Sequence, residues 1–208
     1  MPKIKRIVAK KRSSNCYVHF DDLDVYEIST DLVLKYSLAK DVFIPDEAWE
    51  QIRKQQDIIN AKQTAYNYAA YKPRTEFQVK KRLKERGYEG KLVWEAVEFI
   101  KKFELLDDEK FASSFAKDYL KRKPSGERKL KQELLQKGVG RDLAEKASRK
   151  AYEGEDPYEK AKMAAEKKLR GISYKPADKQ RNALINKLKA LGFDWDIIKR
   201  VVDELMEE

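Results

Sequence analysis

The 208-residue chain sets 46 Lys and Arg against 36 Asp and Glu, a net charge of +10, and 39% of its residues are charged. It has no long apolar run, which excludes a transmembrane span and a secretory signal and predicts a soluble, cytoplasmic protein without membrane partners. Its single cysteine, Cys16, excludes an internal disulfide, and with one histidine, His19, there are too few ligands for a zinc site built from Cys and His.

Residues 1–44 carry β-branched and aromatic side chains in alternating or continuous runs, which predict strands near Ile4–Ala9, Cys16–Phe20 and Val25–Ile28. Polar turns at Lys11–Asn15 and Asp21–Asp24 join them into a small antiparallel meander. Thr30-Asp31 then opens a short helix through Leu32, Val33 and Tyr36, and Val42–Ile44 is expected to add an edge strand. So small a sheet is marginal alone and needs the following helix to pack on. That helix starts at Pro45-Asp46 and runs to about Tyr71, with Trp49, Ile52, Ile59, Tyr66 and Ala69 on its apolar side.

The rest of the chain repeats itself. Leu83, Gly87 and Tyr88 recur as Leu134, Gly138 and Val139, and again as Leu188, Gly192 and Phe193. In each case a helix ends at a left-handed glycine, with an apolar contact closing the turn. The glycines lie 51 and 54 residues apart, a period of three short helices. Eight residues before each glycine stand Val79, Leu130 and Leu184. After it the same helical face returns as Val93, Val97 and Ile100, as Ala144, Ser148 and Ala151, and as Ile198, Val202 and Leu205.

Upstream, Pro73-Arg74-Thr75, Pro124-Ser125 and Pro176-Ala177-Asp178 each place a proline and a capping side chain before the helix that ends at the glycine. The first helix of copy two is capped at Asp107 or Asp108 and carries Phe111, Phe115 and Tyr119. That of copy three opens with Asp156-Pro157-Tyr158-Glu159. The expected fold is therefore mainly α, with tandem three-helix repeats in an extended curved array behind a small antiparallel β domain. The expected boundaries are 1–45 for the β-rich domain, 46–105 for the linking helix and repeat 1, 106–153 for repeat 2, and 154–208 for repeat 3.

Charge is uneven along the chain. Residues 1–60 cancel to zero, whereas 61–106, 107–155 and 156–208 carry +5, +3 and +2. With a pI near 9.4, the repeats are drawn toward polyanions, although a lysine-rich solvated face has the same composition. Two clusters stand out: Arg74, Lys80, Lys81 and Lys84 in copy one, and Lys121, Arg122, Lys123, Arg128 and Lys131 around the proline turn of copy two. With Val79 and Leu83 turned inward, Lys80, Lys81 and Lys84 face largely outward.

Chemistry is sparse. His19 falls in an expected strand, where a structural or exposed role accounts for it. The glycines form no phosphate-cradling motif, so neither an ATPase nor a dinucleotide enzyme is indicated, and no cofactor is expected. Asp21, Asp22 and Asp24, and Asp107, Asp108 and Glu109, are groups that a Mg²⁺ nuclease would use. Their positions at a turn and at a helix N-terminus already account for them.

The stretches AYNYAAYKPRTEFQVKKRLKERGY at 65–88 and LLDDEKFASSFAKDYLKRKPSGERKLKQELLQKGV at 105–139, with IKRIVAKK and YEISTDLVLKYSLAK near the N-terminus, resemble the RecX family, regulatory proteins of the RecA recombinase. The resemblance implies binding in the groove of the RecA filament on DNA, contact with single- and double-stranded DNA regardless of sequence, and inhibition or tuning of ATP hydrolysis and strand exchange. No enzymatic activity is implied, and a monomer is expected. Asp41 stands where the family pattern has glycine, and Lys123-Pro124-Ser125-Gly126 replaces a more glycine-rich turn. A rival reading makes the glycine turns helix-turn-helix units of a DNA-binding protein acting without RecA. Against it, the helices after those glycines carry Glu95 and Glu98, Asp142 and Glu145, or Asp196 and Asp203, which phosphates repel.

Overall fold

Period-two alternation at the N-terminus folds as expected. The computed structural model describes residues 3–22 and 24–207, and in it β1 (Ile4–Ala9), β2 (Asn15–Phe20) and β3 (Val25–Ser29) form an antiparallel meander in that order. Leu23, within the turn expected over Asp21–Asp24, lies outside the described residues. Cys16, Val18 and Phe20 of β2 are buried, while Asn15, Tyr17 and His19 take the opposite, half-exposed face. Val42–Ile44 contributes less than the expected edge strand: a single bridge pairs Phe43 with Lys3, and the Ile4 N–H donates to the Val42 carbonyl at 3.0 Å. Asp41, at φ 67°, holds the left-handed conformation that glycine adopts most readily, and its carboxylate pairs with Lys3 at 3.0 Å.

Next come α1 (Thr30–Lys35), α2 (Asp46–Tyr71), α3 (Glu76–Glu85) and α4 (Gly90–Lys101). Trp49 and Ile52 of α2 close the sheet core over Phe20, Ile28 and Leu32, with the Trp49 and Phe20 rings edge-on at 4.8 Å. Gln56 is buried there, and its Oε1 accepts the Ser29 N–H at 2.6 Å, so the polar atom is not left unpaired. Farther along, Ala61, Ala65 and Ala69 form the buried stripe of α2, which packs on α4. Alanines at this spacing let the helices approach closely. Tyr66, expected on the apolar side, is 40% exposed instead, because the alanine stripe has taken the contact.

The chain divides into two compact units: one holds the chain up to Lys72 with Lys80–Leu105, and the other holds Pro73–Val79 with the chain from Leu106. Within the second, α5 (Asp108–Arg122), α6 (Glu127–Gln136) and α7 (Arg141–Tyr152) enclose a core around Leu120, Leu130, Leu134 and Ala144. Likewise α8 (Pro157–Arg170), α9 (Ala177–Ala190) and α10 (Trp195–Glu207) enclose Leu184, Leu188, Ile198 and Val202.

Helices α3, α6 and α9 end alike. Gly87, Gly138 and Gly192 have φ of 83°, 85° and 79°. The N–H groups of Tyr88, Val139 and Phe193 donate back to the carbonyls of Leu83, Leu134 and Leu188 at 3.1, 3.1 and 3.3 Å. These are the 6→1 bonds of a Schellman closure. Ser148, the polar lapse in the repeated face, is buried and donates from its Oγ to the Glu145 carbonyl at 3.0 Å.

The helix starts differ more. Thr75 caps α3 reciprocally with Gln78: its Oγ1 accepts the Gln78 N–H at 3.2 Å, and Gln78 Oε1 accepts the Thr75 N–H at 3.4 Å. The same hydroxyl donates to the Lys137 carbonyl at 2.6 Å. In copy two Gly126, not Ser125, is the residue before the helix, and its N–H donates to the Leu191 carbonyl at 2.8 Å. Thr75 and Gly126 each stand twelve residues before their own glycine, and Lys137 and Leu191 each stand one before the next, so a single docking contact is used twice. Copy three has no counterpart. Its helix α9 is 14 residues long where α3 and α6 have 10, starts directly after Pro176, and leaves Ala177 exposed.

Candidate functional site

The basic residues fall into distinct situations. On α3, Val79 and Leu83 are fully buried, which turns Lys81 and Lys84 into solvent and leaves Lys80 half-buried. Arg74 is half-buried as well, its backbone bridged to Leu106. Lys121, Arg122 and Lys123 crowd the last turn of α5 and are exposed. Arg122 Nε donates to the Asp118 carbonyl at 3.0 Å, and Lys123 Nζ lies 5.6 Å from the centre of the Tyr119 ring. All three cations sit where the helix dipole is negative, a placement that fixes them without consuming their charge.

Two other members are already paired. Lys131 reaches from α6 to Glu145 of α7 at 2.6 Å, and this neighbour holds the Glu145 carboxyl below the ordinary range. Arg128 pairs with Asp194 at 2.9 Å. Lys131 therefore ties two helices together, which its position in a basic run does not disclose.

The carboxylates of both clusters accept hydrogen bonds within the protein. Asp107 Oδ1 accepts the Lys110 N–H at 2.8 Å and caps α5. Asp108 Oδ1 accepts the Glu76 N–H at 3.1 Å and so serves the start of α3. Asp21 accepts the Lys3 N–H, Asp22 the Asp24 N–H and Asp24 the Tyr26 hydroxyl, each at 3.1 Å. Among the described residues no group of three or more His, Cys, Asp or Glu is placed to hold a metal, and no helix is long and apolar enough to cross a membrane.

One feature escaped sequence reading. Around the Gly192 turn, Arg128, Lys129, Gln132, Lys189 and Trp195 line an open groove of about 400 Å³. Trp195 follows its glycine by three residues, where the other copies have Gly90 and Arg141, and that difference is the signal that marks it.

Fold and site together define a helical-repeat protein that presents its charged residues on open helix faces. The description of the first three-helix domain of RecX matches residues 61–99, and that of the second matches residues 107–147. The chain is 32% identical to the regulatory protein RecX of Clostridium perfringens strain 13 and 31% identical to that of Clostridium botulinum strain Alaska E43, over 99% of this chain and 97% of each relative. The chain belongs to the RecX family of regulatory proteins. A crystal structure of regulatory protein RecX has the same fold, with a TM-score of 0.67 at 22% identity over 98% of this chain and all of that one. That of RecX from Lactobacillus salivarius gives 0.60 at 26% identity over 73% of this chain and 98% of that one.

Proposed function

We propose that this chain binds the RecA filament assembled on DNA, as a cytoplasmic monomer, and lowers its ATPase and strand-exchange activity without catalysing a reaction. Its outward cations meet phosphates or acidic filament surface, while its helix faces bridge neighbouring subunits and oppose their rearrangement. The observation that carries this reading is the exposure of Lys81 and Lys84 on α3 and of Lys121, Arg122 and Lys123 at the end of α5 in a chain of the RecX family. Arg74, Lys80, Arg128 and Lys131 are assigned supporting contacts, since they are half-buried or already engaged.

The test adds substoichiometric protein to RecA strand-exchange and ATPase assays. Wild type is expected to slow both, and the quadruple variant Lys81→Glu, Lys84→Glu, Lys121→Glu, Arg122→Glu is expected to bind filaments at least about tenfold more weakly. Undiminished inhibition by this variant, with its helical signal intact, removes these residues from the interface. Sequence-specific binding to naked duplex in the absence of RecA defeats the reading as a whole.

A further inference from the structure

The groove at the Gly192 turn has features that a helix-packing role does not require. Trp195 is 53% exposed at the first position of α10, although its neighbours Phe193 and Ile198 are buried. Lys189 Nζ stands 4.9 Å from the centre of its ring and makes no ion pair among the described residues. Arg128 is held at the groove by Asp194 at 2.9 Å, and Lys129 by Glu133 at 3.1 Å. Gln132 adds an amide to the lining. The groove thus offers a half-exposed indole, an ammonium that rests against its ring without an ion pair, and two cations held in place by carboxylates.

A protein anchor and a nucleotide both use aromatic residues, but they ask for different surroundings. An anchoring side chain wants a dry apolar pocket rimmed by polar groups. Here Lys189, Arg128, Lys129 and Gln132 share the lining with Ala190, Phe193 and Ile198, a mixed wall beside the ring that suits a nucleotide, with the base on the aromatic face and the phosphate on an exposed cation. A duplex hides its base faces in the stack, so only an unpaired strand can use such a platform.

We propose that this groove binds a nucleotide of single-stranded nucleic acid, the base stacking on Trp195 and the phosphate meeting Lys189. The inference rests on the nucleic-acid part of the function proposed above and gives it a second, chemically different contact. Basic helix faces bind any polyanion, whereas the Trp195 groove selects unpaired strands. Copy three, which ends the series of docking contacts, thereby acquires a task of its own.

Intrinsic fluorescence reads this directly. In a Trp94→Phe protein Trp195 is the exposed indole, since Trp49 is only 9% exposed. Oligo(dT) of about 20 nucleotides is expected to quench that emission, duplex of equal length is not, and added Trp195→Phe removes the signal. Trp195→Ala and Lys189→Glu, each in otherwise wild-type protein, are expected to weaken oligo(dT) binding about tenfold by anisotropy, with circular dichroism unchanged. The inference is overturned by an unchanged Kd in Trp195→Ala or by equal quenching with duplex. It is also overturned if that variant loses filament binding while keeping oligo(dT), which makes the groove a protein contact. Loss of oligo(dT) binding in Lys81→Glu/Lys84→Glu but not in Trp195→Ala defeats the groove alone, and failure of wild type to bind oligo(dT) defeats both readings.

Discussion

Alanine at three glycines separates two physical costs that these turns combine. A methyl on Gly87 meets nothing within 4 Å, so Gly87→Ala pays only for its φ of 83°, about 1 kcal/mol. Gly126 has an ordinary φ of −73°, yet its added Cβ falls 2.1 Å from the Gly192 carbonyl oxygen, and Gly126→Ala is expected to cost about 1–3 kcal/mol in displaced backbone. Gly138 carries both burdens, with Phe77 Cβ 2.2 Å from the new methyl at φ 85°, so Gly138→Ala is expected to cost about 2–4 kcal/mol. Urea unfolding of the set measures the order; equal losses at Gly87 and Gly138 would mean that the packing contact contributes nothing. Tyr152 is the opposite case, because its hydroxyl is buried with no hydrogen-bond partner among the described residues. Removing it in Tyr152→Phe is expected to stabilise by about 1 kcal/mol. Burial, and then Glu155 and Glu127, push this phenol above its ordinary pKa of 10.0. A raised folded pKa contributes stability that is full below pH 10.0 and declines as pH rises beyond it, so Tyr152→Phe should lose that alkaline decline in thermal scans between neutral and alkaline pH.

At the scale of the element, helix ends were legible in the sequence where their chemistry is local. The leucine, glycine and apolar residue that close α3, α6 and α9 act within six positions, and all three closures form as read. Asp156 with Pro157 likewise starts α8 as expected, accepting the Tyr158 N–H at 2.8 Å. Starts that depend on distant partners were not legible. Gly126 begins α6 because its N–H reaches the Leu191 carbonyl, 65 residues away, and no capping rule anticipates that contact. Asp107 and Asp108 illustrate the same limit, since adjacent carboxylates serve different helices. Asp107→Ala is expected to cost about 1 kcal/mol and to raise amide exchange at Lys110, whereas Asp108→Ala should cost a similar amount and raise exchange at Glu76. Both variants acting on the same amide would disprove this division.

For the molecule as a whole, the identity of the basic residues was legible but their availability was not, because pairing is a property of the folded surface. Lys131 and Arg128 lie in the same run as Lys121, Arg122 and Lys123, yet the first two meet Glu145 and Asp194 while the others stay open. The Trp195 groove was likewise hidden, since its walls come from α6, from the end of α9 and from the start of α10. Salt dependence can tell open cations from paired ones without a complex structure. Each phosphate neutralised by an open cation adds roughly 0.7 to 0.9 to the slope of log affinity against log salt. A lysine already paired with a carboxylate brings little net charge to the strand and adds less. Lys121→Gln, Arg122→Gln and Lys123→Gln together are therefore expected to lower the slope for DNA binding by about 2 to 3. Lys131→Gln should leave the slope nearly unchanged and should destabilise the α6–α7 pair, seen as a lower Tm. A slope that falls by the same amount per residue in both variants would place Lys131 on the strand and reverse the assignment drawn from its contact with Glu145.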